Sequence, residues 1–322
     1  EIASCLVGSE MCIRDRSSDI QRKWIKKFKT IEDTFKQRAA EEDIDSKFPF
    51  DNIKWLVEEG YSVLTLPKSY GGEGATIEDM VVLQSYLGAI DGATALSIGW
   101  HLSVVGQLYQ QHMWSQTMLD QFAIEVKNGA LVNRAVSEAD TGSPTRGGRP
   151  ATHAIKTKDG YKLNGVKTFT SMSKALTHYI VAAFVEDIQE VGFFLIPRET
   201  KGLEIADNWN MLGMRATESH DLVLNDVIVP FENFVETKHK PQPNGWILHI
   251  PSVYLGIAQA ARDYAIEFAK THSPNSIEGT IATLPTVQQN VGKMESLLLS
   301  ARHFLWSTAK GYNQYNLSLI HI

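Results

Sequence analysis

His153–Phe169, HAIKTKDGYKLNGVKTF, decides the fold class because it holds the strongest hairpin signal in the chain. Asp159-Gly160 separates two segments in which apolar and polar residues alternate, and Asp-Gly is favoured in the tight turn between antiparallel strands. Further strands are predicted downstream, over His178–Val185, Gly192–Arg198 and His220–Pro230. Residues 130–237 are therefore predicted to form an antiparallel β domain.

The residues that precede this β domain have helical rather than alternating periodicity. Apolar side chains recur every three or four positions from Asp19 to about Glu42, which predicts an amphipathic helix. A second helix is predicted within Phe50–Tyr61, with Asp51 as its N-cap and Gly60 at its C-terminal end. Both helices belong to a predicted N-terminal helical domain.

The same domain continues with a well-marked helix start. Thr76 and Asp79 have the spacing of a capping box, in which each side chain bonds the other residue's main chain. Helical pattern then runs from Ile77 to about Lys127, with an interruption at Asp91-Gly92. The N-terminal helical domain is therefore predicted to span residues 19–129.

Helical pattern returns after the β domain, over residues 238–316. Ser252–Lys270 is rich in glycine and alanine, which predicts that a neighbouring helix packs closely against it. Pro285 suits the first turn of a last helix that runs to about Lys310. Residues 1–18 and 317–322 have the character of translated library sequence and are expected to be non-native flanks.

Composition excludes several classes of function. The net charge is −6 and the isoelectric point is about 5.9, so no nucleic-acid-binding face is expected. No apolar run reaches the length of a membrane span. Both cysteines, Cys5 and Cys12, lie in the first flank, which fits a cytoplasmic location. No HExxH motif or cluster of metal ligands is present.

Four motifs occur in a fixed order along the chain. They are LPKSYGGEG (66–74), AVSEADTGS (135–143), LNGVKTFTS (163–171) and LGMRATESHDLVLNDVIVP (212–230). Together they resemble the acyl-CoA dehydrogenase family of flavoproteins. The resemblance implies an α+β fold with an N-terminal helical domain, a middle antiparallel β-barrel-like domain and an incomplete C-terminal helical domain. The chain is accordingly expected to be a C-terminally truncated fragment.

The resemblance assigns the polar loop Arg134–Ser143 to FAD. The main-chain N–H groups of Val136 and Ser137 would face the pyrimidine edge of the flavin ring, where donors stabilise the charge of the reduced ring. Gly142 would let the main chain approach the pyrophosphate, and Ser143 would donate hydrogen bonds to it. The alternative is a solvated loop between domains.

A second flavin-binding segment is implied at the end of the predicted hairpin. Its residues are Phe169, Thr170 and Ser171. Phe169 stands where family members commonly have a tryptophan that packs by the flavin, and Ser171 would present its hydroxyl near N5. The alternative is an ordinary half-buried strand. Arg215 is expected to form a structural ion pair with Asp221 or Asp226.

The resemblance implies α,β-dehydrogenation of an acyl-CoA thioester, as in fatty acid metabolism. This reaction requires a carboxylate that removes the α-proton. The family's glutamate is expected beyond the end of this fragment, and its alternative position corresponds to Leu248-His249. The glutamates within the chain that come nearest to the requirement are expected to be structural or solvated rather than catalytic, namely Glu138, Glu267 and Glu295. The catalytic residue therefore stays unassigned.

The chain also departs from the family in the connection between its last helices. Residues 272–292 contain no arginine, whereas dehydrogenases carry an R-x-x-F-G motif there. The alternatives are therefore a flavin-dependent monooxygenase of the same fold and a non-catalytic homologue that binds flavin or acyl-CoA. Ser143 and His249 are expected to border the substrate. The implied partners are acyl-CoA, an electron-accepting flavoprotein or oxygen, and further copies in a homodimer or homotetramer.

Overall fold

The computed structural model describes residues 18–142, 148–237 and 243–315, with side chains up to residue 312. The predicted flanks lie outside these ranges, except for Ser18, whose hydroxyl caps the first helix. The described residues before the sheet form five α-helices: α1 Asp19–Asp45, α2 Phe50–Glu58, α3 Ile77–Ile90, α4 Gly92–Gln110 and α5 Gln116–Lys127.

The helix starts in this part follow the predicted side-chain chemistry, with one exception. Thr76 and Asp79 form the predicted capping box at the start of α3. The prediction for Asp51 was wrong, because Pro49 occupies the N-cap of α2 and Asp51 lies in the first turn. A proline is well suited to a helix start since it has no N–H to satisfy. An additional break at residues 111–115 separates α4 from α5.

Eight strands of the described residues form one sheet. They are β1 Val132–Ala135, β2 His153–Lys156, β3 Tyr161–Lys167, β4 His178–Val185, β5 Glu190–Pro197, β6 Leu203–Ile205, β7 Leu222–Val229 and β8 Phe234–Thr237. The pairing order is β6-β7-β3-β2-β4-β5-β8, and β1 also pairs with β4. The predicted hairpin at Asp159-Gly160 joins β2 and β3. Within the described residues the order has two ends, so this sheet does not close into a barrel.

Most strand pairs are antiparallel, as predicted, but β1 and β2 pair with β4 in parallel. β1 pairs with the first half of β4, at His178–Val181, and β2 with its end, at Phe184 and Val185. The two strands therefore lie end to end along one edge of β4. Between them the chain leaves the sheet at Val136 and returns at His153. This excursion contains the predicted flavin loop, so the sheet edge determines where that loop lies.

Two long helices complete the fold, α6 His249–Thr271 and α7 Pro285–Tyr315. The predicted close packing of α6 occurs against α3. A Cβ atom on Gly256 would lie 2.1 Å from the carbonyl oxygen of Ser85, and one on Gly88 would lie 2.7 Å from that of Val253. Only glycine permits this crossing. No helix in the described ranges is both long and apolar enough to traverse a bilayer.

Candidate functional site

The predicted flavin loop is a compact excursion from the sheet edge. Glu138 and Gly142 exchange two main-chain hydrogen bonds of 2.9 and 3.0 Å, which close the loop at its neck. Gly142 has φ +68°, a backbone conformation that favours glycine. No described atom lies within 4 Å of the position that a Cβ would take there. The main chain at Gly142 is therefore open to a ligand.

A buried carboxylate holds this loop to the sheet. Glu138 accepts hydrogen bonds from Lys167 Nζ and Thr141 Oγ1, both at 2.6 Å, and from the N–H groups of Ala151 and Thr152, at 2.6 and 3.0 Å. Burial acts to raise its pKa, but these donors outweigh burial and hold the pKa at about 2. Burial lowers the pKa of Lys167, while Glu138 acts to raise it. The Glu138–Lys167 ion pair therefore has a structural role, because it holds the loop to the sheet.

The structure brings the two predicted flavin segments side by side. The N–H of Thr168 donates to the carbonyl of Ser137 at 2.8 Å. Four residues before Ser137, Asn133 Nδ2 donates to the carbonyl of Ser171 at 3.2 Å. The loop after β1 and the turn after β3 thus form one continuous main-chain surface. Val136 and Ser137 lie on it, half-buried.

Phe169 has an unusual position on this surface. Its backbone is in the left-handed region, with φ 58°, and its ring is 58% exposed although it is apolar. The ring contacts the edge of Trp209, with the ring centroids 6.0 Å apart. An exposed aromatic pair beside a polar main-chain surface suits one face of a planar ligand. Sequence reasoning found Phe169 but missed Trp209, which lies 40 residues later in a loop.

Thr170 and Ser171 turn away from Phe169 and are buried. The N–H of Thr170 donates to the carbonyl of His220 at 3.2 Å, and its hydroxyl has no partner among the described residues. The Ser171 hydroxyl lies 2.8 Å from that of Ser219, which in turn lies 2.8 Å from that of Thr217. This chain of hydroxyls holds Ser171 in place, and each member can reorient its proton.

The side chain of Arg134 is occupied elsewhere. It forms a two-bond ion pair with Glu236, with Nη2–Oε1 and Nη1–Oε2 distances of 2.8 and 3.1 Å, and it lies over the ring of Phe193. Trp114 donates to the same carboxylate at 2.7 Å. Arg134 therefore reaches the loop only through its main chain. Nothing in the sequence near Arg134 indicates this partner.

The predicted ion pair of Arg215 was wrong. Its Nε donates to the carbonyl of Asp43 at 2.9 Å and its Nη2 to that of Ile44 at 3.3 Å, at the C-terminal end of α1. Asp221 instead accepts from Asn208, and Asp226 from Asn164 and Lys162. Carbonyls at a helix end lack intrahelical donors, and arginine is well suited to satisfy them.

His249 begins α6 and is fully buried. Its ring contacts the edge of Trp100, with a centroid distance of 4.7 Å, and lies over Gly99, where a Cβ would be only 2.6 Å from Nδ1. Neither ring nitrogen has a partner among the described residues, and burial lowers the pKa to about 3. The imidazole is therefore neutral near pH 7. Ser143, the other predicted substrate residue, lies outside the described residues.

These observations fit a flavin. The surface combines main-chain groups, an exposed aromatic ring at Phe169, a buried unpartnered hydroxyl at Thr170 and open space at Gly142. A planar heterocycle needs apolar contact on its face and hydrogen bonds at its edge, and a pyrophosphate needs close main-chain approach. The residues present therefore provide each type of contact that the predicted cofactor requires.

Comparisons with known proteins identify the family. The profiles described as "Acyl-CoA dehydrogenase, N-terminal domain" and "Acyl-CoA dehydrogenase, middle domain" match residues 19–113 and 133–227. The protein named "Putative acyl-CoA dehydrogenase YdbM", from Bacillus subtilis (strain 168), is 51% identical over 299 residues, which cover 92% of this chain and 78% of that protein.

Two solved structures have the same fold. One is KijD3 in complex with dTDP, with a TM-score of 0.81 and 23% identity, covering 94% of this chain and 77% of KijD3. The other is butyryl-CoA dehydrogenase from Megasphaera elsdenii, with a TM-score of 0.79 and 21% identity, covering 92% and 80%. The predicted three-part architecture is thereby confirmed, with a middle sheet that is open within the described residues. The chain belongs to the acyl-CoA dehydrogenase family of flavin-dependent oxidoreductases.

Proposed function

We propose that this protein catalyses α,β-dehydrogenation of an acyl-CoA thioester with FAD as its cofactor. The observation that carries the proposal is the hydrogen bond between Ser137 and Thr168, because it joins the two motif segments into one surface. The close relative from Bacillus subtilis supports the same reaction class. Electrons would leave to an electron-accepting flavoprotein or to oxygen, and the assembly would be a homodimer or homotetramer.

The family resemblance suggests a role for each site residue. The N–H groups of Val136 and Ser137 would donate to the edge of the ring, and Phe169 would cover part of its face. Thr170 and Ser171 would supply hydroxyl groups. The main chain at Gly142, with its neighbour Ser143, would accommodate the pyrophosphate, and Arg134 would contribute through its main chain only. When bound, the flavin supplies the acceptor for two electrons.

The proton-abstracting group is not one of the two buried candidates. Glu138 accepts four hydrogen bonds and has a pKa of about 2, so it binds a proton weakly. His249 has a pKa of about 3 and is likewise a weak base near pH 7. Its buried imidazole is better suited to contacting the substrate, as proposed from the sequence. The base therefore stays unassigned.

The first test uses two glycines with matched backbones. Gly142 and Gly279 both have positive φ, 68° and 83°, and both face open space. Gly142→Ala and Gly279→Ala therefore impose similar backbone strain. We expect the Gly142 variant alone to weaken FAD binding, measured by fluorescence titration of the apoprotein. Equal affinity in both variants would contradict the assignment of the loop to the pyrophosphate.

The second test concerns the reaction. Anaerobic addition of butyryl-CoA to the flavin-loaded protein should bleach the flavin absorbance if the protein is a dehydrogenase. A protein that shows no bleaching with short-chain, medium-chain or long-chain acyl-CoA substrates would not be one. Acid extraction followed by chromatography identifies the nucleotide as FAD or FMN. Absence of any bound flavin would favour the non-catalytic homologue instead.

A flavin-dependent monooxygenase is the second candidate. It is favoured by His249, a neutral imidazole in place of a carboxylate at the alternative base position. A monooxygenase would receive reduced flavin and consume oxygen without needing a base. Oxygen uptake that depends on a separate flavin reductase and NADH, with no bleaching by acyl-CoA, would support this candidate over the dehydrogenase.

A further inference from the structure

His220 has a side-chain arrangement that the proposed reaction does not use. The residue is almost completely buried and lies two positions before β7 begins at Leu222. Its Nδ1 lies 3.0 Å from the main-chain N of Asn208 and 2.9 Å from that of Trp209. Main-chain N–H groups can only donate, so Nδ1 must be the acceptor of both. The ring is therefore neutral, with its proton on Nε2.

The same residue also holds the other aromatic segment. The carbonyl of His220 accepts the N–H of Thr170, the residue directly after Phe169. The indole of Trp209 in turn donates to the carbonyls of Met214 and Arg215, at 3.2 and 3.0 Å. His220 thus contacts the main chain on both sides of the Phe169–Trp209 ring pair. The side chain of His220 holds the main chain at Trp209, and its carbonyl holds the main chain next to Phe169.

We propose that His220 is a positioning residue, whose neutral imidazole holds Trp209 against Phe169 and so shapes the aromatic wall of the flavin site. The proposal deepens the proposed function and rests on it for the identity of the ligand as a flavin. The ordering of the Asp207–Arg215 segment by His220 does not depend on any ligand. A proton on Nδ1 would point at two N–H groups, so protonation and ordering exclude each other.

Charged groups surround the imidazole on its other side. Nε2 lies 3.4 Å from Asp207 Oδ1 and 3.8 Å from Glu218 Oε2, and Lys174 pairs with both carboxylates, at 3.0 and 3.3 Å. Burial and then Lys174 lower the pKa of His220, whereas Glu218, Asp207 and Asp221 act to raise it. The net direction is downward, so the neutral ring persists at mildly acidic pH.

The sign of the pH dependence follows. An unfolded histidine has a pKa of about 6.5, and the folded pKa lies lower. The ordering by His220 is therefore complete above the unfolded pKa and is lost as the pH falls through the lowered folded pKa. Below it, the Asp207–Arg215 segment should open before the remainder of the protein unfolds.

Two substitutions distinguish the effect of the hydrogen-bond acceptor of His220 from the effect of its ring volume. In His220→Asn, the amide oxygen takes nearly the place of Nδ1 and cannot titrate. In His220→Phe, the ring volume remains but the acceptor is lost. The readout is hydrogen exchange of the Asp207–Arg215 segment by mass spectrometry, because the seven tryptophans make whole-protein fluorescence ambiguous. Thermal unfolding of each variant reports whether it folds.

We expect His220→Phe to accelerate exchange in the segment by about tenfold or more, and His220→Asn to retain wild-type protection without its loss at acidic pH. FAD affinity should fall by about tenfold in His220→Phe and be restored in His220→Asn. Wild-type protection in a folded His220→Phe would overturn the proposal. If His220→Phe does not fold, the proposal is judged by His220→Asn, and acid-induced opening equal to that of the wild type overturns it. A wild-type protein that binds no flavin would overturn the proposed function. The hydrogen-exchange rates of the Asp207–Arg215 segment would still test the role of His220.

Discussion

Glu138 and His249 are both buried polar side chains at positions singled out by the sequence, and they differ in how the fold satisfies them. Glu138 accepts four hydrogen bonds, including one from the buried ammonium of Lys167. His249 has no hydrogen-bond partner for either nitrogen among the described residues. A buried polar group without a partner costs stability. The first arrangement therefore stabilises the fold, and the second is tolerated at a cost.

The difference lies in where the hydrogen-bond partners come from. Glu138 is satisfied by the side chains and main chain of the loop and the sheet, so no ligand is needed to satisfy the carboxylate. His249 is packed between Trp100 and Gly99, which offer its ring contact but no hydrogen bond. The four predictions below test this contrast, from the largest expected effect to the smallest.

Removal of Lys167 should have the largest effect. Lys167→Met leaves the Glu138 carboxylate buried without its ammonium partner, which should lower the unfolding free energy by about 3 to 5 kcal/mol. Urea denaturation measures the change. The double variant Lys167→Met/Glu138→Gln should recover much of the loss. As a matched control, Lys36→Met breaks an exposed helical pair with Glu32 and should cost less than about 1 kcal/mol.

The pH dependence of stability should come next. His249 has a folded pKa of about 3, below the unfolded value of about 6.5, so protonation favours the unfolded chain. Stability is therefore full above a pH of about 6.5 and falls as the pH decreases below it. Between pH 7.5 and 5 the wild type should lose about 2 kcal/mol through this residue. His249→Leu should lose that much less over the same interval. Equal slopes in the two proteins would show that His249 is not buried as a neutral ring.

A smaller effect is expected from crowding the imidazole. Gly99→Ala places a methyl group 2.6 Å from His249 Nδ1 and 3.0 Å from Gln84 Oε1. Overpacking costs about 1 to 3 kcal/mol, and the higher helix propensity of alanine returns about 1 kcal/mol. A net loss of about 1 kcal/mol should appear in thermal unfolding. Stabilisation by this substitution would indicate that the pocket is roomier than described.

Ser171→Ala should have the smallest effect on stability. The substitution removes one member of the hydroxyl chain, and Ser219 keeps its bond to Thr217. The loss should be about 1 kcal/mol or less, measured by urea denaturation. Thr30→Ala removes an exposed hydroxyl bond on α1 and is a matched control. A loss of unfolding free energy well above about 1 kcal/mol would show that the Ser171 hydroxyl contributes more to stability than a single exchangeable hydrogen bond.

Features that depend on neighbouring residues were predictable from the sequence. The capping box at Thr76 and Asp79 and the hairpin at Asp159-Gly160 were both found, because each requires only residues a few positions apart. The motif order also predicted the fold and the two segments that meet at Ser137 and Thr168. The sequence therefore predicted which two segments form the candidate site, and the structure added how they contact each other.

The remaining features depend on contacts between distant residues. Arg215 was assigned to nearby aspartates, yet it binds carbonyls of α1 that lie more than 170 positions earlier. Main-chain acceptors leave no side-chain pattern that a sequence can reveal. The same applies to Glu236, which pairs with Arg134 across 102 positions.

The sequence by itself determined the order of the helical, β and helical parts, the capping box at Thr76, the hairpin and the family, since periodicity and short motifs are local properties of the chain. Only the tertiary structure decided that β1 and β2 share one edge of β4, that Glu138 is saturated and that His249 has no partner. Burial and hydrogen-bond geometry arise from packing between separate elements, and those two quantities determine the protonation of every polar group in the site.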